Sequence, residues 1–425
     1  MNPKSSRLFT IVLVAAVGIV AAAVPSTSHA VPPVSRDAAV VTEWSAIAQR
    51  TIFTENATPV PVSSLYFGFM SLAVYDAVVT IEGRYTPYAD QPRPHANASA
   101  EVAAATAAYR VLNTYFPASA AALAADYTAS LADIPNGVGK VHGIRVGEDA
   151  AAAVIALRQG DGRGGSVPEP GGLDPGVWRP TPDAFAPMAV PWLGFVTPLL
   201  LDSPTQIPVA GPDALDTDAY TQDFDEVEQY GAKDGSLRTA EQTATALFWN
   251  TNAVAQYQAA LRDQVTRRQL DIVDSARAFA LLNTSTADAL IACWRAKYDD
   301  AYWRPITAIQ LADTDGNDAT EPDPAWTPLT ATPPYPEYTS GHACITGATS
   351  GTVGTLFGPD SIDLTVPSLA ATPARHYATT DALDQETMNA RIWLGIHFRK
   401  AMTDGNQLGH DVADYGTTHY FQPTS

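Results

Sequence analysis

The chain has 425 residues, of which 46% are hydrophobic, and it can therefore bury a large core in one domain or in several smaller ones. Its formal net charge of −20 repels nucleic acid and anionic lipid surfaces, so neither is expected as a partner. Because only 25 lysine and arginine residues oppose 45 acidic ones, a local cluster of cations would be informative.

The N-terminus has the pattern of a secretory signal. Two cations precede an apolar run from Leu8 to Val24, and Ser28-His29-Ala30 forms a small-x-small cleavage site. We therefore predict a signal peptide at residues 1–30, followed by a single secreted domain at residues 31–425. A membrane anchor is the alternative, because the apolar run borders on the length of a spanning helix. No later segment is expected to be long and apolar enough to span a membrane.

Helical patterns fill the N-terminal third of the chain. Apolar residues between Ser63 and Ile81 recur at spacings of three and four, which is typical of an amphipathic helix. Helix-prone segments, two of them rich in alanine, follow at residues 98–115, 118–132 and 141–159. Residues 160–212 are dense in glycine and proline and show little periodicity, which predicts a long surface excursion, either a linker or a lid beside a site.

Helical patterns return in the C-terminal half, separated by a polar, proline-rich loop at residues 312–338. They cover residues 236–250, 253–269, 274–303, 343–357 and, as the last one, 384–397. No run of alternating apolar residues is long enough to organise a sheet. The predicted class is therefore all-α, with two packed four-helix bundles and long Gly/Pro-rich loops.

Two motifs in the last third of the chain combine cations with a hydroxyl and an imidazole. Lys297 precedes Arg304-Pro305 by seven residues, or two helical turns, so both cations are expected on one face of one helix. The second motif is Ser340-Gly341-His342. Ser340 is expected at or near the N-cap of the following helix, where free amides and the helix dipole favour an anion.

The third motif pairs Arg391 with His397, six positions later. On an unbroken helix the two side chains lie about 120° apart, so either the long arginine reaches around or the helix yields at Gly395. Together the motifs supply three permanent cations, a hydroxyl, a glycine amide and two imidazoles. That set of groups is typical of a pocket for a tetrahedral oxyanion such as phosphate or vanadate. We therefore expect an enzyme that acts on, or through, such an anion.

In this order and with these spacings, the motifs resemble those of the vanadium-dependent haloperoxidases and the related type 2 phosphatidic acid phosphatases. The specific resemblance covers about residues 290–400. It implies vanadate as the cofactor, with hydrogen peroxide and a halide as partners in the reaction. It further implies a cofactor-binding set consisting of Lys297, Arg304, Ser340, the Gly341 amide, Arg391 and His397.

The same resemblance assigns chemical roles to four side chains. His397 would be the axial nitrogen ligand of vanadium, and His342 would be the acid–base residue beside the apical oxygen, where hydrogen peroxide is activated. Trp294 and Tyr335 occupy places where fungal chloroperoxidase-like members carry a Trp and a Phe beside the halide. They form a candidate halide site, with ordinary packing of the pocket as the alternative.

Two departures from the family patterns bear on the reaction. Thr339 stands where the haloperoxidase motif has proline, and Ala401 stands where the phosphatase pattern has an acidic residue. That carboxylate orients the nucleophilic histidine in the phosphatases, so its absence favours the peroxidase.

The predicted function is a secreted vanadate-dependent haloperoxidase that oxidises a halide with hydrogen peroxide. The alternative is an acid phosphatase with His397 as nucleophile acting on a phosphate ester, and a third possibility is an anion-binding protein without turnover. The sequence does not fix the halide, the organic substrate, the oligomeric state or the role of residues 160–212.

The two cysteines, Cys293 and Cys344, each lie within a few residues of a motif member. If the motifs converge, the cysteines approach each other as well. A disulfide in an oxidising exterior and a pair of buried small hydrophobic residues are both compatible with the sequence.

Overall fold

A computed structural model describes residues 36–94, 97–370 and 372–424, so the predicted signal peptide at residues 1–30 lies outside the described part. Thirteen α-helices and two short strands make up most of the regular structure of these residues, and the predicted all-α class is confirmed. The described residues belong to one compact unit.

The N-terminal helices pack around a central apolar one. They are α1 (Arg36–Gln49), α2 (Val60–Glu82), α3 (Ala100–Tyr115), α4 (Ala120–Ser130) and α5 (Val138–Leu157). Helix α2 contacts both α3 and α5, and it is buried on nearly every side because it is apolar on nearly every side. The bounds of α2 to α5 agree with the predicted helices to within a few residues, whereas α1 was not predicted. The prediction that α2 is amphipathic is wrong, because this helix is buried on nearly all of its faces.

Helix α2 is long and apolar enough to cross a membrane, so the expectation that no segment after the leader has this character is wrong. It is the one such helix in the described part of the chain, and 83% of its apolar window is buried inside the protein. Its composition is therefore accounted for by its place at the centre of the N-terminal bundle.

The C-terminal half is organised by one long helix that both bundles share. Its helices are α6 (Asp218–Gly231), α7 (Ala240–Phe248), α8 (Ala253–Arg267), α9 (Ile272–Asp300), α10 (Pro305–Gln310), α11 (Gly341–Phe357), α12 (Thr380–Trp393) and α13 (Arg399–His419). Helix α9 packs against α2 in the first bundle and against α11 and α13 in the second. Helix α12 completes the second bundle by contacting α11 and α13.

The prediction that the last helix runs from Asp384 to His397 is wrong, because the chain forms α12, a break, and then the 21-residue α13. Helix α13 is polar and contains glycines, whose low helix propensity explains why it was not predicted from the sequence. Tertiary packing explains the glycines. A Cβ at Gly409 would clash with the carbonyl oxygen of Cys344, so the missing side chain lets α13 approach α11 closely.

The glycine- and proline-rich segment at residues 160–212 is packed against α9. Leu193 is fully buried, and a Cβ at Gly194 would lie 2.6 Å from the backbone nitrogen of Arg295. Farther along, the carboxylate of Asp288 on α9 accepts hydrogen bonds from the amides of residues 199, 200 and 201 at 2.6–2.9 Å. The segment is therefore fixed along the helix that carries Lys297, which removes the free-linker alternative.

The two strands form a small antiparallel hairpin beside α12. Strand β1 (Leu364–Val366) pairs with β2 (Arg375–Tyr377) so that Leu364 faces Tyr377. The hydroxyl of Tyr377 donates to Glu386 on α12, and the indole nitrogen of Trp249 donates to the same carboxylate. The hairpin thus helps to hold Trp249, whose carbonyl contacts the site described below.

Candidate active site

Arg304 and His397 meet in the interior although they come from different elements. Helix α9 ends at Asp300, Ala301 adopts a left-handed conformation with φ of 42°, and Arg304 is the N-cap residue of α10. The prediction that Lys297 and Arg304 share one helical face is therefore wrong, because the helix stops before Arg304 and restarts at the following proline. Arg304 Nη1 nevertheless lies 3.3 Å from Nε2 of His397.

Residues 335–337 form a short segment, here called the 335–337 strap, that binds both cations of the first motif through main-chain oxygens. The carbonyl of Tyr335 accepts from Arg304 Nε at 2.8 Å. The carbonyls of Pro336 and Glu337 accept from Lys297 Nζ at 2.8 and 3.0 Å. The strap thus fixes two fully buried cations, and an ammonium with two of its three donors used keeps one for a ligand.

Burial changes the acidity of these groups. It lowers the pKa of Lys297 to about 8, with the nearby charge of Arg304 acting in the same direction. It also lowers the pKa of Arg304 and brings that of Arg391 to about 10. Gathering like charges in a dry pocket is unfavourable, so the pocket gains from an anion that neutralises them.

The second motif lies at the start of α11, where Ser340 is the N-cap residue as expected. The first intrahelical hydrogen bond runs from Cys344 N to Ser340 O, so the amides of residues 341–343 precede it. Gly341 packs under Trp294, whose ring would lie 3.1 Å from an added Cβ. The helix therefore offers its free amides and its positive end next to a buried serine hydroxyl.

His342 is oriented by the loop between α7 and α8. Its Nε2 lies 3.2 Å from the carbonyl oxygen of Thr251. A carbonyl only accepts, so Nε2 carries the hydrogen and Nδ1 keeps the lone pair. Its enclosed surroundings and the charge of Arg391 hold the pKa of His342 well below the usual range, so the ring is neutral at pH 7.

Of the two alternatives for the third motif, the helix yields at Gly395. Helix α12 ends at Trp393, and Gly395 has φ of 77°. A Cβ at Gly395 would lie 2.5 Å from the carbonyl oxygen of Gly231, so both the conformation and the close approach require glycine. Arg391 remains on α12 and donates from Nη1 to the carbonyl of Trp249 at 3.0 Å.

His397 has a carboxylate partner that the sequence argument missed. Its Nδ1 lies 2.8 Å from Oε1 of Glu337, and the amide of Phe398 donates to the same oxygen at 2.9 Å. Burial and then the charges of Arg304 and Lys297 keep the pKa of His397 well below the usual range, so the imidazole is neutral. With Nδ1 as donor, Nε2 carries the lone pair, which faces Arg304 Nη1 at 3.3 Å and can act as a ligand or a nucleophile where a bound anion takes over that guanidinium contact.

Glu337 also changes the argument drawn from Ala401. The absence of an acidic residue after His397 does not deprive this histidine of a carboxylate, because the 335–337 strap supplies one. The available signal was an acid five residues before His342 inside a proline-rich, otherwise uncharged run. The carbonyls of Trp249 and Thr251 were missed as well, since main-chain groups leave no mark in a sequence.

The buried polar atoms test whether an oxyanion fits this site. Within the described part of the chain, Arg304 Nη2, Ser340 Oγ and Arg391 Nε are buried without a hydrogen-bond partner. Buried donors are normally satisfied, and three orphaned donors among buried cations are what a bound oxyanion would complete. The residues present therefore fit vanadate or phosphate.

Trp294 and Tyr335 form one aromatic wall of the pocket, with ring centroids 5.0 Å apart. Lys297 Nζ lies 5.0 Å from the Tyr335 ring centroid, and Arg304 Cζ lies 4.9 Å from it. The indole nitrogen of Trp294 donates to the carbonyl of Ala189, which places the 160–212 segment at the edge of the site. Tyr335 is partly exposed, so this wall reaches towards solvent.

The two cysteines do come together behind the second motif. Cys293 Sγ donates to the carbonyl of Thr339, and the Thr339 hydroxyl lies 3.5 Å from Cys344 Sγ. Both are buried free thiols in the structure. The residue that stands in place of the family's proline thus contacts both sulfur atoms.

In comparisons with known proteins, the chain is similar in sequence to vanadium chloroperoxidase. Residues 277–424 match the family described as the VCPO second helical-bundle domain. The vanadium chloroperoxidase of Curvularia inaequalis is 27% identical over 231 residues, which cover 40% of this chain and 37% of that protein. The match thus spans little more than a third of that relative's length.

Solved structures extend the likeness to most of the chain. The crystal structure of the first bacterial vanadium-dependent iodoperoxidase has a TM-score of 0.76 at 23% identity and covers 91% of this chain and 97% of its own. A holo-type bacterial vanadium-dependent chloroperoxidase has a TM-score of 0.68 at 18% identity and covers 85% and 91%. At these identities the structural likeness concerns the fold. The sequence match over residues 277–424 and the fold likeness over most of the chain agree, and this chain is therefore similar to the vanadium-dependent haloperoxidases in its C-terminal bundle and in its overall fold.

Proposed function

We propose that the protein is a vanadate-dependent haloperoxidase that oxidises a halide with hydrogen peroxide. The observation that carries the proposal is the set of three orphaned donors, Arg304 Nη2, Ser340 Oγ and Arg391 Nε, around a neutral histidine. The relatives named above are chloroperoxidases and an iodoperoxidase, which supports the same chemistry.

The pocket would hold vanadate through groups already in place. Lys297, Arg304 and Arg391 would neutralise its oxygens, and Ser340 with the Gly341 amide would donate hydrogen bonds to them. The Nε2 lone pair of His397 would be the ligand to vanadium. When bound, vanadate supplies the Lewis acid on which hydrogen peroxide is activated.

His342 would handle the proton. Its Nε2–H is held by the carbonyl of Thr251, so Nδ1 is free to take a proton from peroxide and return it. The low pKa of the ring keeps this nitrogen unprotonated before the reaction. The Trp294 and Tyr335 wall beside Lys297 would receive the halide, since the Lys297 ammonium attracts an anion and the edges of aromatic rings carry partial positive charge.

One observation favours the second candidate, a phosphatase. The Glu337–His397 pair resembles a carboxylate-oriented nucleophile, with the Nε2 lone pair beside Arg304 Nη1, where a phosphoryl group held by that guanidinium would lie within reach. In that reaction His342 would protonate the leaving oxygen, and the cations would stabilise the charge on the equatorial oxygens.

Secretion belongs to the same proposal and depends on residues 1–30. The expected mature start lies near Val31. N-terminal sequencing of protein recovered from the medium of an expressing culture would test this. Recovery only from cells, with Met1 or the leader intact, would contradict it.

The reaction is tested by assaying the purified protein for oxidation of iodide, bromide and chloride with hydrogen peroxide, before and after adding orthovanadate. Hydrolysis of an aryl phosphate is measured in parallel. His397→Ala should abolish vanadate-dependent halide oxidation, whereas His419→Ala, at an exposed position on α13, should leave it unchanged. Phosphate hydrolysis that vanadate inhibits, with no halide oxidation, would establish the phosphatase instead.

A further inference from the structure

Glu337 is fixed through its main chain and its side chain at once. Its amide donates to the carbonyl of Tyr302 at 2.9 Å, and its own carbonyl accepts from Lys297 Nζ. Its carboxylate Oε1 accepts from both His397 Nδ1 and the amide of Phe398. The side chain is 1% exposed, so water does not compete for these contacts.

The contacts of both ring nitrogens of His397 determine which one carries the hydrogen. Arg304 Nη1 lies 3.3 Å from Nε2 and can only donate, so Nε2 carries the lone pair of the neutral ring. Nδ1, which faces Oε1 of Glu337, then carries the hydrogen, and the amide of Phe398 donates to the same oxygen. This assignment does not depend on the ionisation of Glu337, because it follows from the guanidinium of Arg304.

Vanadate and phosphate differ in whether their binding requires a bond to His397. Vanadium expands to five-coordinate geometry in a ground-state complex and can take a nitrogen ligand, whereas phosphorus does so only in a transition state. A bound phosphate therefore depends on the cations and amides, while a bound vanadate depends additionally on a correctly aimed Nε2. Partners that orient a metal-bound histidine typically contribute 10–100-fold in affinity.

We propose that Glu337 is a positioning residue that aims the Nε2 lone pair of His397 into the anion pocket and thereby sets the preference for vanadate over phosphate. The inference rests on the proposed vanadate-binding function. It assigns Glu337 no contact with the anion itself, since its carboxylate lies on the far side of the imidazole ring from Nε2.

Asp223 offers a matched control. It borders the same small cavity of about 10 Å³ as Glu337, and its carboxylate accepts from the amide of Lys400 without contacting His397. Burial raises the pKa of both acids, to about 6 for Asp223 and about 8 for Glu337. The two carboxyl groups border one cavity, although Asp223 is partly exposed and Glu337 is buried, and of the two it is Glu337 that contacts the histidine.

The experiment measures affinities of the purified protein for orthovanadate and inorganic phosphate by calorimetry, together with the ¹⁵N chemical shifts of its histidines. Glu337→Leu removes the acceptor, Glu337→Asp withdraws it by one methylene, and Glu337→Gln keeps an acceptor oxygen in the same place. Asp223→Asn is the control. Circular dichroism and thermal unfolding identify which variants are folded.

Glu337→Leu should lower vanadate affinity by about 10–100-fold while phosphate affinity changes by less than about 3-fold. Glu337→Asp should give a smaller loss of the same kind and decides the matter if the leucine variant does not fold. Glu337→Gln should retain the preference and the Nδ1–H signal of His397, and Asp223→Asn should match the wild type.

Two outcomes overturn the inference. In one, both loss variants keep the wild-type ratio of vanadate to phosphate affinity. In the other, both affinities fall together, which would mean that Glu337 supports the pocket only as packing. A wild-type protein that binds vanadate no more tightly than phosphate would instead remove the proposed vanadate function, so the two failures are distinguishable.

Discussion

Buried ionisable groups have opposite surroundings in the two bundles. In the N-terminal bundle the fully buried Asp76 has its acceptors filled by the amides of Tyr88 and Ala89 and by the Gln91 side chain, at 2.6–3.2 Å. In the C-terminal bundle, Arg304 and Arg391 are just as buried, yet each leaves a donor without a partner among the described residues. The first arrangement is complete without a ligand, and the second is not.

The difference separates a group that serves stability from groups that serve binding. A buried carboxyl group with all its hydrogen-bond partners holds a loop in place. Buried like charges with unsatisfied donors destabilise the fold until an anion binds them. Substitutions of the N-terminal group should therefore lower the free energy of unfolding, whereas substitutions of the C-terminal groups should lower the affinity for an oxyanion.

The largest effect on stability is expected for Asp76→Ala. It leaves the amides of Tyr88 and Ala89 without an acceptor and should lower the free energy of unfolding by about 3 kcal/mol. Urea unfolding measures this, with Asp76→Asn as the variant that keeps the shape. Oxyanion affinity of the folded fraction should stay within about 3-fold of wild type, and a larger change would break the separation between the two regions.

Arg391→Met should show the opposite signature. Vanadate and phosphate affinity should fall by about 100-fold, because one of three buried cations is lost. The anion-free protein should stay within about 1 kcal/mol of wild-type stability, since removing a buried charge from among like charges offsets the loss of the hydrogen bond to the Trp249 carbonyl. Calorimetry and urea unfolding without anion measure the two effects. A marked loss of stability without anion would contradict the interpretation.

Ser340→Ala tests the smallest of the orphaned groups. Its hydroxyl has no partner, so its removal should leave thermal unfolding unchanged to within about 0.5 kcal/mol. Oxyanion affinity should fall by about 10-fold, the value of one hydrogen bond to a charged ligand. Ser350→Ala is a useful contrast, because the Ser350 hydroxyl donates to Asp384 at 2.8 Å and its loss should affect stability alone.

The smallest effect concerns a partly exposed ion pair, between His410 and the buried Asp384, in which the histidine titrates. Nε2 of His410 lies 2.8 Å from Asp384, and although burial lowers the pKa of His410, the bond and charge of Asp384 raise it above its usual 6.5. The ion pair should stabilise the fold fully below pH 6.5, and this contribution should be lost as pH rises through the raised pKa.

His410→Gln should therefore cost about 0.5–1 kcal/mol at pH 5.5 and almost nothing at pH 9. Urea unfolding of the variant and the wild type at both pH values measures the difference. A cost that is equal at the two pH values would mean that packing, and not the ion pair, is what the histidine contributes.

The sequence predicted helices well where composition and periodicity agree, as in α2, α3 and α11. It failed at α13, whose glycines serve the contact with α11, and at Ala301, where a left-handed residue ends α9 before Arg304. Spacing along the chain did select side chains whose charges act on one another in the folded protein, namely Lys297, Arg304, His342, Arg391 and His397. Glu337 belongs to no motif, and the carbonyls of Trp249 and Thr251 have no side-chain signature, so their contacts with His397, Arg391 and His342 became visible only in three dimensions.

Helix α9 has a further consequence for how this protein can be divided. The matched family domain begins at residue 277, inside a helix that starts at Ile272. The N-terminal bundle rests on the same helix, since Asn283 donates to Ser71 at 2.7 Å and a Cβ at Gly68 would lie 3.5 Å from the Asn283 carbonyl. A fragment that begins at residue 277 would retain every motif residue, but the face of α9 that packs against α2 would be exposed to water. The matched family domain is therefore smaller than the unit that would have to be expressed or recombined intact, which includes the N-terminal bundle.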